Sequence, residues 1–240
     1  MAVCLSIAAV WFAGRQFWGI SQYRAAERAM NWRDYSEARR RLAHCLQLWP
    51  TDGNTLLLAA RAANRDGDVP EGNRLLRAAR TFAPEDAQLE QMVFQLRMGD
   101  MGDAAGMLAA CESHIDDPQS KLIMEGLIEG ALQTSQLELA QSCLTLWDQT
   151  QKEPWDTAQA AAWRGELAFR QGFPDVALGH FREAVEASPA NEQARLRLAD
   201  ELRRATETPP ERLRQFAHIG HLRPGNIERR CRRRDIGQCA

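Results

Sequence analysis

Along most of this chain apolar residues recur three and four positions apart, the spacing that lines one face of an α-helix, and short polar turns break the pattern at regular intervals. The clearest stretch runs from Ala158 to Asn191. Its first half, AQAAAWRGELAFRQG, places Trp163, Gly165, Leu167, Ala168 and Phe169 on or near packing faces. Gly172-Phe173-Pro174-Asp175 supplies a turn, and VALGHFREAVEASP follows with Ala177, Phe181 and Ala184 on one stripe. The same skeleton recurs upstream. Asp34-Tyr35-Ser36-Glu37-Ala38 leads to Leu42 and Cys45, Gly67-Asp68 to Gly72, Leu76 and Ala79, Gly99-Asp100 to Ala104, Leu108 and Cys111, and Leu137 to Ala140, Leu144 and Trp147. A looser copy follows Pro209-Pro210, with Leu213, Phe216 and Ile219.

Prolines mark the period. Pro50, Pro84, Pro118, Pro154, Pro189 and Pro224 are 34, 34, 36, 35 and 35 residues apart. A proline closes a helix because it lacks the N–H and its ring clashes with the preceding turn. The pattern predicts helices at 22–32, 35–48, 53–66, 70–82, 86–98, 101–114, 119–134, 137–150, 157–171, 174–187, 191–204 and 210–221. Composition agrees with an all-α chain, since Ala, Leu, Arg, Glu and Gln, all strong helix formers, dominate.

A 34-residue period, a small residue midway along the first helix (Ala60, Gly165, Ala199), a small–large–small stripe on the second and a terminal proline together resemble the tetratricopeptide repeat family. The resemblance covers about residues 20–224. It implies a right-handed α-solenoid of about five or six helix-turn-helix units (21–52, 53–86, 87–118, 119–157, 158–191 and 192–224), whose stacked neighbours share one continuous core. Gly72 departs from the usual Ala, the first helix near 86–98 lacks the small residue, and the unit starting near Lys121 has an extra-long tail.

The segment Val3–Ile20 carries one charge, Arg15, and eighteen helical residues would extend ~27 Å, close to a bilayer core. Residues 1–20 are therefore expected to form a hydrophobic N-terminal helix acting as a single-pass anchor in a bacterial inner membrane. The thirteen uncharged residues of Ala2–Gly14 also suit a signal-peptide core, and a buried leading helix of the array is the third reading. Arg15, Arg24, Arg28 and Arg33 flank the segment and favour a cytoplasmic array. The layout resembles anchored repeat proteins of planctomycete-like bacteria.

Charge is uneven. Residues 1–84 carry 12 basic and 7 acidic side chains, residues 85–157 carry 3 and 14, and residues 192–240 carry 12 and 7. The basic run Arg229, Arg230, Arg232, Arg233 and Arg234 lies in a degenerate segment, 225–240, with no interleaved aromatic, so base stacking is not implied. The six cysteines form no CxxC pair, and Cys45 and Cys111 fall on expected core faces. His218 and His221 with Cys231 and Cys239 lack the spacing of a metal site. No nucleophile elbow, P-loop, HExxH or dinucleotide fingerprint is present. Neither catalysis nor a cofactor nor a metal is expected.

In the family that the chain resembles, first helices line a concave, peptide-holding groove. The resemblance places Leu57, Arg61, Asn64, Glu125, Glu129, Glu166, Arg170 and Asp200 there. The family's clamp for chaperone tails uses Lys and Asn at places where this chain has Leu57 and Arg61, which disfavours that ligand. A groove with these carboxylates implies a basic or mixed-charge protein segment as partner. The same acids also read as ordinary solvated helix faces. The expected function is a non-catalytic protein-binding scaffold tethered to a membrane. The alternatives are an accessory or fragment of a multidomain enzyme, and weak nucleic-acid association through the arginine run, although nucleic acid is not the expected partner.

Overall fold

The computed structural model describes residues 2–150 and 153–204, and within them it is all-helical, with no strand. The helices are α1 (Ala2–Asn31), α2 (Tyr35–Leu48), α3 (Gly53–Arg65), α4 (Val69–Ala79), α5 (Pro84–Arg97), α6 (Ala104–Ser113), α7 (Pro118–Gln133), α8 (Leu137–Trp147), α9 (Pro154–Arg170), α10 (Pro174–Ala187) and α11 (Glu192–Arg204). The helix expected at 210–221, the arginine run and the His218, His221, Cys231 and Cys239 group lie outside the described residues. The chain divides into two compact units, one ending at Glu192 and one beginning at Gln193.

Helix starts follow from capping chemistry. The side chains of Asp34, Asp52, Asp68, Asp103 and Asp117 accept the free N–H groups of Glu37, Thr55, Glu71, Gly106 and Gln119. Pro84, Pro118 and Pro154, read in the sequence as terminators, open α5, α7 and α9. Both roles share one cause. Proline cannot donate to the helix before it, and its fixed φ suits the first turn of the helix after it.

One turn is repeated five times. A backbone N–H five residues on closes back to a helix carbonyl at Asp34→Ala29, Asp68→Ala63, Asp100→Gln95, Gln136→Ala131 and Phe173→Ala168, each 2.8–3.0 Å long. In each turn one residue takes positive φ: Arg33, Gly67, Gly99, Ser135 and Gly172. These are the left-handed C-terminal caps that glycine adopts most cheaply. Arg33 and Ser135 adopt them with a Cβ, at φ 62° and 61°.

Consecutive helices pack closely in α1–α2, α3–α4, α7–α8 and α9–α10, and alternate helices touch in α1–α3, α3–α5, α5–α7 and α7–α9. Glycine permits the closest approaches. A Cβ on Gly165 of α9 would stand 2.6 Å from the ring of Phe181 on α10, and one on Gly130 of α7 would overlap the Leu96 carbonyl. The exception is α5 and α6, which barely touch; α6 packs on α7 instead. This is the unit in which the sequence offers no small residue on the first helix.

Two apolar clusters result. One gathers Ala26, Leu42, Leu56, Ala60, Leu76 and their neighbours from α1 to the start of α5. The other gathers Leu96, Met124, Leu127, Leu144, Trp147 and Trp163, from the end of α5 to α9. Trp147 and Trp163 meet edge to face, their ring centroids 5.2 Å apart.

The expected single-pass anchor over 1–20, and with it the membrane localisation, is overturned. Among the described residues no helix is long and apolar enough to cross a membrane. The physical reason lies in α1. It runs unbroken to Asn31, and its polar positions Arg15 and Gln16 interrupt the apolar stretch. From Gln16 onward one face of it packs on α2. Trp49 Nε1 donates to Gln16 Oε1 at 2.7 Å, the Cys45 thiol donates to the Gly19 carbonyl at 3.7 Å, and Gly19 sits flush against Leu48 and Trp49. Trp11, Phe12, Phe17 and Trp18 remain exposed.

Candidate functional site

Helices α3, α5 and α7, together with the turn after α1, bring four arginines and three glutamates into one network. Arg65 on α3 donates from its two terminal nitrogens to Glu125 Oε2 and Glu129 Oε1 on α7, each at 2.7 Å. Arg33 donates to the other Glu125 oxygen at 3.0 Å and to the Tyr35 hydroxyl at 3.1 Å. Arg97 on α5 holds the second oxygen of Glu129. Arg61, one turn before Arg65, donates through Nε to Glu90 on α5 at 2.8 Å. The network therefore ties helices of the first apolar cluster to helices of the second.

Burial makes these pairs strong. The Arg65 side chain is 3% exposed and that of Glu129 is 17% exposed. Burial alone would push both glutamates up. Arg65 and Arg97 outweigh it at Glu129 and hold its carboxyl at about 2, and Arg33 and Arg65 hold Glu125 below the usual range. Arg33 and Arg65 are shifted the other way, because the gain from Glu125, Glu129 and Tyr35 exceeds the desolvation that opposes it. Each carboxylate oxygen of Glu125 and Glu129 has an arginine partner.

A cavity of about 230 Å³ opens beside the network, bounded among others by Arg33, Arg61, Lys121, Leu122, Glu125 and Trp155. Its far wall is α9. There Lys121 on α7 donates to Asp156 at 2.5 Å, and Asp156 also accepts the Glu153 N–H at 3.0 Å as part of the α9 capping box. The turn after α1 reaches across to this wall. The Trp32 and Trp155 rings meet edge to face at 5.9 Å, the Arg33 guanidinium lies 6.0 Å from the Trp163 ring centroid, and the Ser188 hydroxyl donates to the Trp32 carbonyl at 3.1 Å. These contacts join the turn after α1 to α9 and the end of α10 over 123–156 residues of sequence separation.

The sequence-expected groove residues do not share one place. Arg61, Asn64, Glu125 and Glu129 line the network and its margins. Leu57 is core instead, buried among the apolar residues of α3 and its neighbours. Asn64 turns toward α4, where its amide fills the space that Gly72 leaves, and its Oδ1 has no hydrogen-bond partner. Glu166 is buried and accepts from Arg170 Nε at 2.7 Å, and Arg170 also reaches Ser135 at 3.2 Å. Asp200 belongs to the unit that begins at Gln193.

Glu125 and Glu129 are thus neither a solvated face nor free acids awaiting a ligand. Sequence reasoning missed Arg33, Arg65, Glu90, Arg97, Lys121, Trp155 and Asp156. One signal was present: Arg61 and Arg65 repeat, in opposite charge and at the same i, i+4 spacing, the pair Glu125 and Glu129. Among the described residues no group of three or more His, Cys, Asp or Glu is placed to hold a metal. Compared with known proteins, the chain matches no family model, and no curated protein matches it.

Proposed function

We propose that this chain is a non-catalytic scaffold of the tetratricopeptide type, a right-handed α-solenoid that holds a segment of another protein on the inner face of its first helices. The observation that carries this reading is the convergence of α3, α5, α7 and α9, alternate in sequence, on one inner surface with a side-chain-sized cavity beside it. The five-fold recurrence of one turn, with its positive-φ residue 32–37 positions from the next, supports the repeat. A helix pair cannot bury both faces alone, so alternate helices in contact are what stacked pairs produce.

The inner face suits recognition because most of its charged side chains are already held by ion pairs. A partner meets a rigid surface and loses little entropy in ordering it. At about 230 Å³ the cavity is smaller than the ~300 Å³ at which sites for drug-sized molecules begin. A single inserted side chain fits it better than a cofactor does. The test is affinity capture from native extract followed by mass spectrometry, comparing the unaltered chain with Leu122→Trp, which fills the cavity. Equal helicity of the two proteins is checked first. A discrete partner lost with Leu122→Trp is the expected result. The same partners with both proteins would remove the inner face from the proposal.

A further inference from the structure

The ion pairs around the cavity join five cations, Arg33, Arg61, Arg65, Arg97 and Lys121, to only four carboxylates, Glu90, Glu125, Glu129 and Asp156. With every carboxylate ionised, the assembly keeps one positive charge in excess. That charge is concentrated at the cavity. Four of the five cations line it, against two of the four carboxylates, Glu125 and Asp156. Donors are left over as well. Arg61 turns Nε and Nη2 to Glu90, while its Nη1 makes no hydrogen bond among the described residues, and Arg33 Nε is buried without an acceptor. A buried donor on Arg33 without an acceptor, beside an accessible one on Arg61, is an anion's complement.

We propose that this cavity receives the carboxylate of an acidic side chain, Asp or Glu, carried on the partner segment. The inference rests on the scaffold reading, and it reverses the preference for a basic ligand that the acidic residues of the sequence suggest. A monoanion matches the single excess charge, whereas a phosphoryl dianion would leave a net negative charge buried beside Glu125 and Asp156. The Trp155 ring and Leu122 give the aliphatic stem of a Glu an apolar wall, and Arg61 and Lys121, both about a third exposed, stand where an entering group meets them.

The test uses the full chain and short capped peptides at millimolar concentration, read by the NMR shifts of arginine Nε–Hε groups. The probes are acetyl-Gly-Glu-Gly-amide, acetyl-Gly-Gln-Gly-amide, acetyl-Gly-Gly-Gly with a free C-terminus, and inorganic phosphate. The Glu peptide is expected to give saturable shifts at Arg61, with the Gln peptide about tenfold weaker or silent. Two variants must then move binding in opposite directions. Arg61→Gln weakens it about tenfold, and Glu90→Gln, which raises the excess charge and frees the Arg61 fork, tightens it. Circular dichroism confirms that both remain folded. Equal shifts with Glu and Gln peptides, binding by the free C-terminus alone, or binding by phosphate alone would each overturn the proposal. If the peptides fail while Leu122→Trp still abolishes capture of a partner, the carboxylate is excluded and the scaffold reading stands. If both fail, the scaffold reading goes with it.

Discussion

Replacing Glu129 with Gln removes one carboxylate from the seam between the two apolar clusters and leaves Arg65 with Glu125 alone, and Arg97 with no acidic partner. Its carboxyl lies at about 2 in the folded chain against an ordinary 4.5, a difference corresponding to about 3 kcal/mol of preferential interaction with the ionised form. Breaking a buried pair by removing one partner costs a similar ~3–5 kcal/mol, because the remaining charge stays desolvated. The sign of the pH dependence follows. A carboxyl depressed by folding stabilises fully above its unfolded value, and that stability disappears as pH falls through 4.5 toward 2. Urea unfolding followed by circular dichroism at pH 7 is therefore expected to show Glu129→Gln destabilised by about 2–4 kcal/mol. The gap between the two proteins should close progressively between pH 5 and pH 2. A loss below about 0.5 kcal/mol at pH 7, the range of an exposed pair, would refute the reasoning. So would a gap that stays constant across that acid range.

Other consequences are equally direct. Arg33→Gly relieves about 1 kcal/mol of left-handed backbone cost, yet it deletes a cation that holds Glu125. A net loss of stability at neutral pH is expected, and a more stable variant would show that the side chain adds nothing. Gly165→Val drives a branched side chain into the Phe181 ring and should cost about 1–3 kcal/mol, visible as a lowered thermal midpoint. Asp34→Ala removes the acceptor for the Glu37 N–H at 3.1 Å and should cost about 1 kcal/mol in the same assay. Burial raises the thiols of Cys45 and Cys111 and pushes Cys143 up to about 12. Peptide mapping after iodoacetamide treatment at pH 8 should find these three unmodified in the folded chain and modified in urea; rapid native labelling of Cys143 would contradict its placement.

Much of the helical framework was legible because local chemistry specifies it. The expected 35–48 and 174–187 coincide with α2 and α10, and Asp caps and prolines set most other ends within a few residues. Cys45 and Cys111 are buried where their stripes placed them. What local pattern does not carry is pairing at long range. Arg33 meets Glu125 across 92 residues, and nothing around either residue announces the other. Two acids one turn apart read equally well as a solvated face or a ligand groove, and only the fold reveals arginines against them. The membrane expectation arose from counting apolar residues without their partners. Gly19, Gln16 and Cys45 show that part of that stretch is a packing surface for α2. Leu57 was assigned to the groove by register, and the tight stacking of α3 took it into the core instead.

The most direct test of an inner-face scaffold is site-resolved photo-crosslinking. A benzophenone amino acid is placed at Leu122, on the cavity wall, or at Gln141, exposed on the second helix α8, and the full chain is irradiated in native extract. A discrete protein crosslinked from Leu122 and not from Gln141 is the expected result, with the attachment point mapped by mass spectrometry to one segment of that protein. Crosslinks from Gln141 alone, or indiscriminate crosslinks from both positions, would contradict binding on the inner face.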